Sequence, residues 1–162
     1  QISPKYFTDP ILAGEFVKQT GIDCLAVSIG NAHGKYCGIP KLNLSLLREI
    51  KQQTGGIPLV LHGSSGIPED ELKKACANGI NKVNVNYDLL KSAYEQILEA
   101  DMSGNGAYKL WALIRKGFKA RLKHLIKECY GSEGKAWQPE KRGLQHVALC
   151  VRNESSSPLC LD

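Results

Sequence analysis

Short apolar runs alternate with amphipathic stretches along most of the chain. Thr8-Asp9-Pro10 offers a capping side chain and a proline for a first helical turn, and apolar residues then recur at helical spacing as far as Gly21. Similar patterns predict helices over 43–54, 68–78 and 88–101. The runs between them, at 23–29, 57–61 and 80–85, are apolar and too short for helices, which is typical of buried strands. The alternation predicts an α/β fold with a parallel sheet built from βα units.

A longer amphipathic stretch, from Ala107 to Cys129, predicts a last helix. Its apolar stripe contains Leu110, Ile114, Phe118, Leu122, Leu125 and Cys129. The stretch holds seven Lys or Arg against the single Glu128, whereas the whole chain has a net charge of +5. Such a helix can bind a membrane surface, a calmodulin-type protein or nucleic acid. The stripe favours docking onto the sheet instead, with the lysines in solvent, so we expect no nucleic-acid or membrane partner.

The pattern changes after Trp137. Residues 138–162 have no sustained periodicity and include Ser155-Ser156-Ser157-Pro158. We therefore divide the chain into a folded part, 1–137, and a tail, 138–162, that we expect to be irregular or disordered. The short apolar run from His146 to Val151 leaves open a second interpretation, in which it pairs as an edge strand.

Composition narrows the class of protein. The chain has 162 residues, of which 43% are hydrophobic and 23% charged, so it can bury the core of one soluble domain. No apolar stretch approaches the roughly 20 residues of a membrane span, and the first ten residues do not resemble a signal peptide. The six cysteines form no CxxC pair, which favours reduced thiols. We expect a cytoplasmic protein.

Polar residues follow each predicted strand directly. His33-Gly34 follows the first strand, and His62-Gly63-Ser64-Ser65-Gly66 follows the second, 29 residues later. Because parallel strands all end at one edge, the two imidazoles should lie side by side, where they could share a metal ion. The glycine-rich turn before a helix could bind an anion through its amides. The alternatives are that each histidine is only a hydrogen-bonded residue at the rim of the sheet, and that the glycine-rich segment is an ordinary βα turn.

These residues carry a family resemblance. Four segments in order, 23–34, 59–66, 82–85 and 130–136, resemble signatures of the class II ketose-bisphosphate aldolases, most closely the tagatose type. In sequence they are DCLAVSIGNAHG, LVLHGSSG, KVNV and YGSEGKA. The resemblance runs from about Tyr6 to Trp137. It implies the C-terminal part of a (β/α)8 TIM barrel, about three βα units, in residues 1–137.

The resemblance also implies an activity. Family members reversibly cleave a ketose 1,6-bisphosphate, of fructose or tagatose type, to dihydroxyacetone phosphate and an aldehyde, with Zn²⁺ stabilising the enediolate. His33 and His62 would be zinc ligands. The residues that would bind substrate and phosphate are Gly34, Gly63, Ser64, Ser65, Asn84, Val85, Asn86 and Tyr87. The partner would be a phosphorylated sugar, and the complete protein would form homo-oligomers.

Two departures from the family pattern stand out. Asn86-Tyr87 replaces a small residue and a threonine, which bears on phosphate affinity. The family's third histidine ligand, its catalytic aspartate and a glutamate-containing segment would precede Thr8, and this sequence does not contain them. Neither His124 nor His146 is a convincing substitute, and Cys37 is a weak one. We therefore expect this chain alone to be inactive; the alternative is a truncated, non-catalytic barrel that binds phosphate or a partner.

Overall fold

The computed structural model of the chain describes residues 3–34, 36, 38–135 and, for the backbone only, 148–150. Helices and strands alternate as the sequence predicts. The five helices are α1 Pro10–Thr20, α2 Leu44–Gln53, α3 Glu69–Ala77, α4 Tyr87–Leu98 and α5 Leu110–His124. The four strands are β1 Leu25–Val27, β2 Leu59–Leu61, β3 Ile80–Asn84 and β4 Ala148–Cys150. None of the helices in these ranges is long and apolar enough to cross a membrane.

Side-chain caps fix where the first helices begin. Asp9 accepts hydrogen bonds from the first-turn amides of α1, at 2.9 and 3.0 Å. Asn43 does the same for α2, at 3.0 Å from the amide of Leu46. Gly21 ends α1 in the left-handed conformation, with φ of 65°. These caps lie where the sequence predicts them, because a cap requires only a local side chain.

All four strands are parallel, in the order β1, β2, β3, β4. Between β2 and β3 the register shifts, since Leu59 pairs with Ile80 but Val60 with Lys82. The skipped residue, Asn81, accepts hydrogen bonds through its side chain from the amide of Leu59 at 3.2 Å and from Lys51 Nζ at 2.7 Å. A side chain thus replaces the missing ladder contact at this bulge.

The core lies between the sheet and its helices. Its most deeply buried side chains include Ile29, Leu47, Ile50, Leu59, Leu61, Leu72, Ile80, Val83 and Leu89. The other face of the sheet is more polar, because Lys82 and Asn84 alternate with Val83 along β3 and are only partly buried. In a closed barrel of parallel strands, that face is the interior.

The predicted last helix is divided into three parts. Gly106–Lys109 form a 3₁₀ turn, α5 follows, and Leu125–Cys129 form a π turn. The helix docks against α4 through Gly117, where a side chain would overlap the backbone of Ser92 and Ala93. The stripe therefore packs as predicted only in part: Leu125 and Cys129 are buried, whereas its earlier members are partly exposed.

One short piece of the tail is described. Ala148–Cys150 form β4, parallel to β3, with Lys82 paired to Ala148. Three residues of the run from 146 to 151 thus pair as an edge strand, which is the second of the two interpretations of this run. They pair with β3 because its open edge offers backbone donors and acceptors. The remainder of 138–162, like Cys37, lies outside the described residues, and the predicted division at 137 remains a prediction.

Candidate metal and phosphate site at the strand ends

His33 and His62 lie together at the carboxyl ends of β1 and β2. Their ring centroids are 5.6 Å apart, and the ring planes are inclined by 59°. A zinc ion lies about 2.0–2.1 Å from each ligating nitrogen, so the centroids of two rings that share one ion are within about 6 Å of each other. The spacing and the two imidazole donors therefore fit a shared zinc ion, and the assignment of His33 and His62 as zinc ligands stays a prediction.

Asn31 links the two loops that carry the histidines. Its side chain is buried; Oδ1 accepts from the amide of Ile29 at 2.8 Å, and Nδ2 donates to the carbonyls of Val27 and His62, both at 3.1 Å. One side chain thus holds the backbone of both histidine loops. The sequence places Asn31 in the family signature but gives no sign of this role, because the bond to His62 spans 31 residues.

Tyr36 forms a second link between the same loops. Its hydroxyl accepts from the amide of Ala32 and donates to the carbonyl of Gly63, both at 2.9 Å. Burial raises the pKa of the phenol above 10, and the hydrogen bond from the Ala32 amide opposes that rise. The phenol therefore remains protonated, and able to donate, throughout the neutral range.

Gly63 is required by the close approach of the two loops. Its φ is 62°, and a Cβ at this position would overlap the carbonyl of Ala32. Only glycine permits both the left-handed backbone and that contact. The glycine that follows His62 in the sequence is therefore needed because one loop packs on the other at Gly63.

Asn84 contacts the ring of His62 from β3. Its Oδ1 accepts from Lys82 Nζ at 2.6 Å, so its Nδ2 faces the His62 ring, 3.3 Å from both ring nitrogens. Since Lys82 can only donate, the orientation of the Asn84 amide follows from it. Nδ2 can donate only to an unprotonated ring nitrogen, so this contact uses the lone pair that a metal would need, and Asn84 would have to release it when an ion binds.

The two serines of the predicted phosphate loop differ. Ser64 is 2% exposed, and its hydroxyl donates to the carbonyl of Asn84 at 2.8 Å, which fastens the end of β2 to β3. The hydroxyl of Ser65 accepts from the amide of Asp88 at 3.4 Å, in the first turn of α4. Its proton can then be donated to another group. Ser65 is therefore the better placed of the two to donate to a phosphate.

The other predicted substrate residues differ in what they can offer. Val85 is 2% exposed and belongs to the core, so it presents only its backbone. The side chain of Tyr87 is 65% exposed, Asn86 lies just before α4, and Gly34 has a φ of 100° with open space around its Cα. The phenol of Tyr87 thus lies out in solvent.

A cavity of about 790 Å³ lies beside His33. Its walls come from the loop at 30–34, from Tyr36 and from the segment 38–45, with Glu71 and Lys74 at its edge. His62, Ser65 and Asn84 do not line it. The cavity therefore reaches the strand-end site on the side of His33.

Comparison with known proteins identifies the family. A family model described as Fructose-bisphosphate aldolase class-II matches residues 1–135. The fructose-bisphosphate aldolase of Geobacillus stearothermophilus is 39% identical over 135 residues, which cover 82% of this chain and 46% of that protein. The 6-phospho-5-dehydro-2-deoxy-D-gluconate aldolase of Bacillus licheniformis is 39% identical over 123 residues, 74% of this chain and 41% of the relative.

A solved structure agrees with these matches. The YdjI aldolase from Escherichia coli K12 is 40% identical and superimposes with a TM-score of 0.73, over 81% of this chain and 48% of that one. This chain therefore spans about half the length of the relatives that it matches, and its match lies in their C-terminal part. Strands β1, β2 and β3 with their helices form the C-terminal part of a TIM barrel. The chain belongs to the class II fructose-bisphosphate aldolase family.

Proposed function

We propose that this chain forms part of a zinc-dependent aldolase that reversibly cleaves a ketose 1,6-bisphosphate, of fructose or tagatose type, to dihydroxyacetone phosphate and an aldehyde. The observation that carries the proposal is the pair of imidazoles at adjacent strand ends, with centroids 5.6 Å apart. Family membership and the adjoining glycine-serine turn support the same activity.

His33 and His62 would hold the zinc ion, which when bound supplies a Lewis acid for the ketone oxygen. The chain's own contribution is to fix both histidine loops before the ion arrives. Asn31 and Tyr36 set the backbone of the two loops. Preorganisation of this kind keeps the ligands near the geometry that the metal needs.

The phosphate of the substrate would bind beside the turn at Gly63–Gly66. Its donors would be backbone amides of the turn and the hydroxyl of Ser65. Ser64 would act indirectly, because its hydroxyl fastens the turn to Asn84. Of the two serines for which the family resemblance implies a phosphate contact, only Ser65 would then make that contact through its hydroxyl.

The active protein would need further groups. A catalytic zinc ion takes about three protein ligands and leaves one position open. Among the described residues, the one cluster of three potential ligands contains neither His33 nor His62. We infer that the third ligand and the catalytic acid or base belong to the part of the family's length that this chain does not span. The active protein would be a cytoplasmic homo-oligomer. The absence of a third ligand near the pair in the described ranges also favours the second candidate, a non-catalytic module that binds phosphate.

A chimera separates the two candidates. The N-terminal segment of the Geobacillus stearothermophilus aldolase that precedes the matched region is joined ahead of residue 1, and zinc content and ketose-bisphosphate cleavage are measured. The enzyme hypothesis predicts bound zinc and turnover, and predicts that His33→Ala or His62→Ala each removes most of both. Lys91→Ala, on the exposed surface of α4, is the control and should leave both unchanged. A folded chimera with zinc and no turnover would favour the binding module, and full activity of either histidine variant would refute the site.

A further inference from the structure

A second group of potential metal ligands lies where the first turn of α3 meets the end of α5. It consists of Glu69, His124 and Cys129, whose potential ligand atoms all lie within 4.8 Å of one another. Nε2 of His124 is 2.8 Å from Oε2 of Glu69. The thiol of Cys129 lies within hydrogen-bonding reach of the same carboxylate. Three different donor atoms therefore converge on one small volume.

The π turn at Leu125–Cys129 makes this convergence possible. In an α-helix two residues five positions apart lie about 140° from each other around the axis, so His124 and Cys129 would point in different directions. In the π turn the amide of Tyr130 donates to the carbonyl of Leu125, five residues back, at 2.8 Å. The wider turn reduces the angle between residues five positions apart, which brings Cys129 closer to His124 on the side that faces α3. Such turns are rare and often occur at functional sites.

Arg121 fixes the carboxylate in this group. Its Nη1 is 2.6 Å from Oε1 of Glu69, while its Nη2 is 3.4 Å from Asp88. The guanidinium thus occupies one oxygen of Glu69 and leaves Oε2 turned towards His124 and Cys129. An outer residue that orients a ligand in this manner is a common feature of metal sites.

The donor types indicate the class of ion. Nitrogen, thiolate sulfur and carboxylate oxygen together suit zinc or a similar transition-metal ion, whereas Mg²⁺ and Ca²⁺ prefer oxygen ligands alone. Cys129 is 1% exposed, while the side chains of Glu69 and His124 are 41% and 44% exposed. An ion here would be held from inside by sulfur and would present its fourth position to solvent.

We propose that Glu69, His124 and Cys129 form a second site for a zinc-type ion, separate from the strand-end site, which ties α3 to the last helix of the chain. The bound ion would replace the proton of the thiol and would stabilise the fold, since metal that binds only the folded state raises its stability. This inference does not depend on the proposed activity.

Cobalt binding tests the site in the full 162-residue chain. Both strand-end histidines are first replaced, in His33→Ala/His62→Ala, so that metal at that site does not contribute. The proposal predicts one Co²⁺ per chain, a near-ultraviolet band from cobalt bound to thiolate, and a higher unfolding temperature with added Zn²⁺. Cys129→Ser should abolish the band, whereas Cys24→Ser, at an exposed cysteine elsewhere, should preserve it.

Two further variants keep the test decisive if the buried Cys129→Ser protein does not fold. His124→Ala and Glu69→Gln change partly exposed side chains, and circular dichroism verifies that each variant is folded. Each substitution should lower the affinity for Co²⁺ at least about tenfold, which is the lower end of the loss that removal of a supporting residue causes at a metal site. Absence of the thiolate band in the parent double variant would overturn the proposal, as would unchanged affinity in both His124→Ala and Glu69→Gln.

Discussion

The strand-end site and the helix-end cluster are held in place by different forces. At the strand ends, the uncharged side chains of Asn31, Tyr36 and Ser64 bond to backbone groups of neighbouring loops. In the cluster of Glu69, His124 and Cys129, side chains of different helices meet, and the Glu69 carboxylate pairs with the Arg121 guanidinium, 52 residues away. Buried neutral hydrogen bonds are nearly insensitive to salt, whereas partly exposed ion pairs are screened. The stability of the strand-end site should therefore depend on backbone geometry, and the stability of the helix-end cluster should depend on charge and ionic strength.

The largest effect is expected from Gly63→Ala, which tests the backbone geometry of the strand-end site. The added Cβ would overlap the carbonyl of Ala32 in a left-handed backbone, so we expect a loss of roughly 3–5 kcal/mol in the free energy of unfolding. Gly21→Ala is a matched control, because its φ is 65° and the space around it is open. That variant should lose only about 1 kcal/mol. Urea unfolding of both measures the difference; equal losses would show that the close contact does not matter.

Asn31→Ala should produce the next largest effect. It leaves the amide of Ile29 and the carbonyls of Val27 and His62 without their partner in a buried setting, and we expect a loss of about 2–4 kcal/mol. Asn43→Ala, which removes an exposed helix cap, should lose only about 1 kcal/mol. Chemical denaturation compares the two variants. If they proved equally stable, Asn31 would not join the two loops.

The sequence predicts the two regions to very different extents. Strand ends, helix caps and the side-by-side histidines follow from local patterns and from the geometry of parallel strands, so β1 and β2 and their loops lie as predicted. The hydrogen bond between Asn31 and His62 links distant residues and carries no local signal. The cluster is harder still, because regular helical spacing predicts that His124 and Cys129 diverge and gives no sign of the π turn. The separate roles of Ser64 and Ser65 also appear only once β3 and α4 are placed beside them.

Tyr36→Phe should have a moderate effect that is independent of salt. It removes the partner of the Ala32 amide and the Gly63 carbonyl, which should lower stability by about 1–2 kcal/mol. Because the pKa of Tyr36 is raised in the folded state, its contribution is complete below pH 10 and is lost as pH rises further. Absorbance titration of the parent and the variant should show that the tyrosine missing from the variant ionises above the ordinary pKa of a phenol. If the tyrosine lost in the variant ionised at the ordinary phenol pKa, the burial of Tyr36 would be contradicted.

The smallest effect, and the one most specific to the cluster, is expected from Arg121→Gln. Its guanidinium pairs with Glu69 at 2.6 Å and Asp88 at 3.4 Å, and the side chain is 26% exposed, so solvent screens part of the attraction. We expect a loss of about 1 kcal/mol at low salt, within the range of measured ion pairs near the surface. That loss should shrink towards zero near 1 M salt, where the screening length falls to about 3 Å.

Two control variants show whether salt acts on this ion pair alone. Lys74→Gln, which breaks pairs of the more exposed Lys74 with Asp70 and Glu71, should change stability by less than about 0.5 kcal/mol at either salt concentration. Tyr36→Phe supplies the opposite control, since its loss should be the same in both. Thermal unfolding of the three variants at low and high salt measures the contrast directly. If the loss in Arg121→Gln persisted at high salt, packing of the arginine between α3 and α5 rather than its charge would hold the cluster together.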